Sequence, residues 1–190
     1  MRYDKGHKEA TRQRILDIAS RQFREGGVAA VGLAGLMADA GLTNGAFYGH
    51  FGSKEALVRE ALSEALEDSK HKIEAAVAGG SGLQGFVRDY LSPRHRDNPA
   101  KGCVTAALAA EIARHPAGTR AVFTSKVEEV LGLIEAGLPS GGAEDRRRSA
   151  MTVYTLLIGT LQMSRAVNDK QLSDEILANG LSAVLKLIGA

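Results

Sequence analysis

Apolar residues recur at helical spacing along almost the whole chain, and that single feature excludes most folds. Ile15, Leu16, Ala19 and Phe23 form one stripe. Leu57, Ala61, Leu62, Ala65, Leu66 and Ile73 form another, and Leu172, Ile176, Leu177, Leu181, Val184, Leu185 and Ile188 a third. Alternating β-branched runs bounded by tight turns, the mark of strands, are nearly absent. The four prolines, Pro93, Pro99, Pro116 and Pro139, leave the first ninety or so residues uninterrupted. The expectation is an all-α fold.

Punctuation divides the helices. Thr11 is placed to cap the first, and Gly26-Gly27 to end it. A second, LAGLMADAG, turns Leu33, Leu36 and Met37 inward and stops at Gly41. Thr43 would cap a short third helix running to about Phe51. Ser53 would cap a long fourth, with Glu55 favourably placed in its first turn. GGSG at 79–82 breaks the chain, and SPRHRDNPAKG reads as an irregular polar loop. CVTAALAAEIARH is helical, and Pro116 opens the next helix. After the turn-rich LPSGGAED come two last helices, over roughly 145–167 and 173–188. SAMTVYTLLIGTLQM is apolar almost all round, which points to burial on more than one side.

Charge is uneven. Residues 1–59 hold nine Lys/Arg against six Asp/Glu, whereas residues 60–190 hold fifteen against sixteen. The excess gathers at Arg2, Lys5, Lys8, Arg12 and Arg14, as a phosphate-binding partner would favour, though a solvated terminus explains it equally well. One cysteine, Cys103, rules out a disulfide framework and suits a reducing compartment. The opening MRYDKGHKEATRQRILDIAS lacks the apolar stretch of a secretory signal, and no run is long enough to span a bilayer. A cytoplasmic protein without a membrane partner is expected.

GLTNGAFYGHFGSKEAL, from Gly41 to Leu57, carries the chemistry. Three short helices with a glycine turn between the second and third make a helix-turn-helix. Phe47 and Phe51, four apart, share one face and anchor the small core. Gly45 and Gly49 lie on the other side, with Ala46, Tyr48 and His50 beside them. Each glycine costs a helix about 1 kcal/mol relative to alanine. A surface that gives up stability to stay bare suits close approach to a DNA groove. Tyr48 can bond a phosphate or pack on a thymine methyl, Asn44 can pair with an adenine edge, and Thr43 and Lys54 can meet phosphates. Against this stands a plainer reading, in which Tyr48 and His50 are packed aromatics and the glycines belong to a loop.

At these residues the chain resembles the TetR family of transcriptional regulators. The matching elements are the apolar first helix, Ala40-Gly41 in the turn, Phe47-Tyr48, Phe51, and the Ser53-Lys54-Glu55 start of the fourth helix. The resemblance covers about the first sixty residues. It implies a homodimeric repressor: residues 1–53 would form the helix-turn-helix domain reading a palindromic operator. Residues 54–190 would form a larger helical domain for dimerisation and for a small-molecule effector that releases DNA. Three departures bear on operator contact. Val31 and Gly32 stand where the family often has a hydroxyl, Asn44 where lysine is common, and Gly49 where a bulkier residue is usual.

The two last helices would build a four-helix interface with a second copy, although burial inside one monomer also fits. Effector contacts would come from Phe86, Tyr90, Cys103, Leu108, Glu111, Phe123, Val127, Tyr154 and Gln162, any of which could equally be core. Glu111 would orient a polar effector or pair with Arg114 or His115. Cys103, at a helix N-terminus, would be an activated thiol or an inert buried one.

Other signals carry less. GSGLQG at 80–85 matches a dinucleotide-binding spacing but follows a helix rather than a strand. The five histidines show no metal-ligand spacing, so no metal or cofactor is expected. Cys103 and His115 would stand about 18 Å apart along one helix, too far to act together. The alternatives to a regulator are a small helical enzyme and a protein-binding module that keeps the fold without binding DNA.

Overall fold

The computed structural model describes residues 5–139 and 142–189, without the side chain of Lys5. Arg2, the Lys5 side chain and the Ser140-Gly141 turn lie outside the described residues. Among the described residues there is no strand. The order is α1 (Lys5–Gly26), α2 (Leu33–Asp39), a 3₁₀ helix (Asn44–Gly49), α3 (Lys54–Ala78), α4 (Gly82–Tyr90) and α5 (Pro93–Arg96). A 3₁₀ turn (Pro99–Lys101) then leads to α6 (Val104–Ile112), α7 (Ala117–Ala136), α8 (Ala143–Ala166) and α9 (Lys170–Leu187).

Local chemistry explains most boundaries. Gly27, with φ of +82°, donates its N–H to the Phe23 carbonyl at 2.9 Å and closes α1. At the end of α2, Gly41 has φ of +70°. Its N–H donates to Ala38 and that of Leu42 to Met37, each at 2.9 Å. This is a Schellman stop, which only glycine makes without strain. The Ser53 hydroxyl accepts from Ala56 N at 3.0 Å, so α3 starts where the sequence places it. The Asp169 carboxylate accepts from Leu172 N at 3.0 Å and caps α9.

Four local expectations are corrected. Thr11 caps nothing: α1 begins six residues earlier, and Thr11 is buried inside it. The third helix is a 3₁₀ helix ending at Gly49, and the Thr43 side chain makes no capping bond there. Two glycines in six residues explain the tighter, shorter form, since longer α-helical runs are what they disfavour. The stretch 92–102 is not irregular, because Ser92 caps α5 by accepting from His95 N at 3.2 Å. Arg96 in that turn is buried, donating to Ser173 at 2.9 Å and pairing with Asp97 and Asp174. Finally, within one chain α8 is buried along one broad side rather than on more than one. Met151, Thr155 and Met163 are exposed on one side.

The helices enclose two apolar clusters. The first joins Ile15, Leu16 and Phe23 of α1, Leu36 and Met37 of α2, Phe47, Phe51 and the first half of α3, from Leu57 to Leu66. It also takes Val104, Leu108 and Ile112 from α6. The second packs Ile73 of α3 with Val87, Ile134, Val153, Leu157, Leu161, Leu177 and Val184. Thus α3 runs from one core into the other, and α6 leans against the helix-turn-helix. Where α9 crosses α8, a Cβ on Gly180 would fall 2.3 Å from Thr160 Cγ2. Glycine is what allows the two helices to approach so closely.

Candidate nucleic-acid interface

Phe47 is completely buried and stacks on Phe51, with ring centroids 5.7 Å apart. These two rings fix the 3₁₀ helix against α1 and α3. Tyr48, next in sequence, is thrown to the opposite side and is 68% exposed. Its ring stands edge-on to Phe47 at 5.3 Å. Thr43, Asn44, Gly45 and Gly49 are exposed around it, and Ala46 is half-buried.

The glycines are informative because the fold does not demand them. A Cβ at Gly45 or Gly49 would meet nothing within 4 Å, and neither residue has a positive φ. Gly41 is a glycine of necessity; Gly45 and Gly49 are not. Their bareness serves the outer surface alone.

Among the described residues, some of the surrounding basic groups are committed to structural contacts and others are exposed. Arg12 lies over the Phe51 ring at 4.8 Å and pairs with Glu60, which makes it a structural contact. Lys54 Nζ donates to the Val28 and Val31 carbonyls at 2.8 and 2.6 Å, holding the α1–α2 loop. An ammonium has three donors, so one remains for an outside partner. Lys8 and Arg14 are exposed. His50 is half-buried, and among the described residues its Nδ1 has no hydrogen-bond partner. Burial, with Lys8 and Arg12 nearby, pushes its pKa down and keeps the ring neutral at pH 7.

Two interlocks that the sequence did not reveal connect this unit to the remaining helices. Glu111 neither points into a cavity nor pairs with Arg114 or His115. Its Oε2 accepts from Val28 N at 2.8 Å and its Oε1 from Ala29 N at 2.7 Å. It therefore clamps the α1–α2 loop from the end of α6. Glu55 accepts from Thr119 Oγ1 at 2.5 Å and bonds His115 Nδ1 at 3.0 Å. Burial opposes its ionisation, but the bonds from Thr119 and His115 outweigh that and lower its pKa. Residues so distant in sequence carry no periodic signal that would have paired them.

The structure separates the nine effector candidates. Leu108 is buried in the first core with Phe123 against it, and Glu111 serves the clamp. Phe86, Tyr90, Cys103, Val127 and Tyr154 belong with the second core. Phe86 and Tyr90 lie 5.6 Å apart, and the Tyr154 hydroxyl bonds Thr105 at 2.9 Å. The Tyr90 hydroxyl is buried, and burial raises its pKa well above normal. Cys103 occupies the N-cap of α6, its Sγ accepting from Ala106 N at 3.5 Å. His95 Nδ1 bonds the Tyr90 carbonyl at 2.7 Å, and His95 Nε2 accepts from Cys103 N at 3.0 Å. Gln162 stands apart, its Nε2 donating to the Ala106 carbonyl at 2.8 Å while it lines a different cleft.

Comparisons with known proteins agree with this geometry. Residues 15–61 match the family of bacterial regulatory proteins, tetR family. The chain is 29% identical over 143 residues to the HTH-type transcriptional repressor KstR2 of Rhodococcus jostii, covering 73% of this chain and 70% of that one. It is also 29% identical over 154 residues to the HTH-type transcriptional regulator LmrA of Bacillus subtilis, covering 78% and 82%. The reduced form of NemR from E. coli shares the fold with a TM-score of 0.80 at 22% identity, over 94% of this chain and 97% of that one. A TetR transcriptional regulator from Legionella pneumophila does so with a TM-score of 0.80 at 17% identity, over 99% and 100%. Among the described residues no helix is long and apolar enough to cross a membrane. The curated relatives are named as regulators of transcription, not as enzymes. Over residues 15–61 the chain thus matches the tetR family of bacterial regulatory proteins, and over most of its length it is similar to regulators of transcription.

Proposed function

We propose that the chain is a ligand-responsive repressor in the cytoplasm, binding a palindromic operator as a homodimer and released by a small-molecule effector. The observation that carries the reading is the bare surface around Tyr48. Gly45 and Gly49 leave open space that nothing inside the molecule requires. Thr43, Asn44, Ala46, Tyr48 and His50 would meet the groove, and the remaining donor of Lys54 a phosphate. Residues 1–53 would read DNA, and residues 54–190 would sense and dimerise.

A homodimer is supported by the faces that α8 and α9 leave uncovered. Met151, Thr155, Gly159 and Met163 repeat every four residues, and Met151 and Met163 are 43% and 55% exposed. Leu172 and Leu187 on α9 are 44% and 45% exposed. A second copy would cover both stripes and set two reading helices about 34 Å apart. Release is then geometric. Since α3 enters both cores, a ligand that shifts the second core tilts α3 and alters that spacing. It can do so only by binding the released state more tightly.

The experiment is retention of a fragment from upstream of the gene, measured as a function of salt. Specific retention that weakens steeply with salt is expected. Tyr48→Ala should abolish it with the dimer intact. Undiminished binding by that variant would remove the 3₁₀ helix from the groove, and a dimer that ignores every such fragment would favour a protein-binding module.

A further inference from the structure

A cleft of about 640 Å³, whose lining does not include Tyr90, opens where the end of α1, the turn 96–99, α6, the end of α8 and the start of α9 meet. Its size is that of a small-molecule site. Four cations line it, Arg24, Arg96, Arg165 and Lys170, against the carboxylates of Glu25 and Asp97. Two of the cations are already neutralised. Arg96 pairs with Asp97 at 2.7 Å and with Asp174 at 2.5 Å, and Lys170 also pairs with Asp174 at 2.5 Å.

Arg24 and Arg165 differ. Both are half-buried, and both are held by backbone carbonyls alone. Arg24 Nε donates to Ala100 O at 2.7 Å; Arg165 Nε and Nη2 donate to Arg96 O at 3.0 Å and His95 O at 2.8 Å. Among the described residues neither has a carboxylate within ion-pair distance. Glu25 and Asp68 act on Arg24, and Asp97 on Arg165, only at longer range. Burial disfavours the charged form of both guanidinium groups. Carbonyl dipoles leave such a charge undercompensated, and each guanidinium keeps donors unused. Two such forks around one cleft match the geometry of a carboxylate or phosphate.

We infer that this cleft binds a small organic anion, its carboxylate or phosphate head received by Arg24 and Arg165 and its carbon body resting on Ala106, Ala107 and Val167. Arg24 lies three residues before Gly27, beside the loop that Glu111 clamps, and Arg165 belongs to α8. A bound anion therefore draws the helix-turn-helix and the second core onto one charge. That it would act as the effector rests on the function proposed above; that it binds does not.

The test uses the full chain without DNA, titrated with citrate and, separately, inorganic phosphate, with sodium chloride holding ionic strength constant. Calorimetric titration should show saturable binding of at least one probe. Citrate alone would assign a carboxylate head, phosphate alone a phosphate head. Arg24→Gln, which loses one backbone bond, should weaken binding about tenfold or more. Arg165→Lys keeps the charge but loses the fork, and should weaken it too. Arg88→Gln, exposed on α4, should bind as the parent does. Absence of saturable binding for both probes, or parent-like affinity in a folded Arg24→Gln, would overturn the inference whatever the protein does with DNA. If binding holds, the same probe should release operator DNA from the parent and not from Arg24→Gln.

Discussion

Replacing Glu111 by alanine tests the link between α6 and the helix-turn-helix. Two bonds disappear, to Val28 N at 2.8 Å and Ala29 N at 2.7 Å. Their consequences differ. Val28 is 4% exposed, so its N–H is stranded away from water, at a cost of about 1–3 kcal/mol. Ala29 is exposed, and its N–H regains water; losing that bond costs about 1 kcal/mol. The sum is about 3 kcal/mol. For a chain of this size each kcal/mol moves the melting midpoint by about 2–4 °C, so Glu111→Ala should melt roughly 6–12 °C lower. Glu111→Gln keeps one acceptor and should fall about half as far. The assay is calorimetry with and without operator DNA. Operator affinity should fall as well, because Glu111 holds the loop between α1 and α2. A Glu111→Ala protein melting within about 1 °C of the parent, well inside the expected shift, would show that the clamp holds nothing. Helix α6 would then not be the link.

Three further outcomes follow from the geometry. Gly49→Ala places its Cβ in open space and should leave stability unchanged or raised by up to about 1 kcal/mol, while operator retention falls; retention equal to the parent's would mean the bare surface faces no partner. Gly180→Ala drives a Cβ into the buried Thr160 side chain and should destabilise by about 1–3 kcal/mol in urea unfolding, with part of the loss recovered by adding Thr160→Ala. Glu67, which bridges α3 to α7 through hydrogen bonds from Lys126 and Lys70, has its pKa held down to about 2. A depressed carboxylate stabilises the fold fully above its unfolded pKa of about 4.3 and loses that contribution as pH falls toward 2, so Glu67→Gln should flatten this part of the acid-unfolding curve.

Much of the helix-turn-helix was legible because its signals are local. The apolar stripe of α1, Gly41 at the turn and Ser53 at the start of α3 each act within four residues, where spacing and capping decide the outcome. Thr11 misled for the same reason: a good capping residue inside a longer helix looks like a beginning. The candidate effector residues show where local signals stop. Leu108 and Tyr154 are both apolar-face residues at helical spacing, yet one packs in the core of the helix-turn-helix and the other in the second core. Periodicity says that a face is buried, not against what.

The sequence alone determined the all-helical class, the order of the first helices with the stop at Gly41 and the start after Ser53, and the placing of Tyr48 between two glycines opposite Phe47 and Phe51. These follow from backbone preference and from the helical repeat, which operate over one or two turns. Only the tertiary structure decided that Glu111 grips the α1–α2 loop, that Glu55 reaches Thr119 and His115, and that Arg24 and Arg165 share a cleft with no carboxylate at ion-pair distance among the described residues. Those pairings join residues some sixty to a hundred and forty positions apart. Such contacts are chosen by how whole helices pack, and no local rule encodes them.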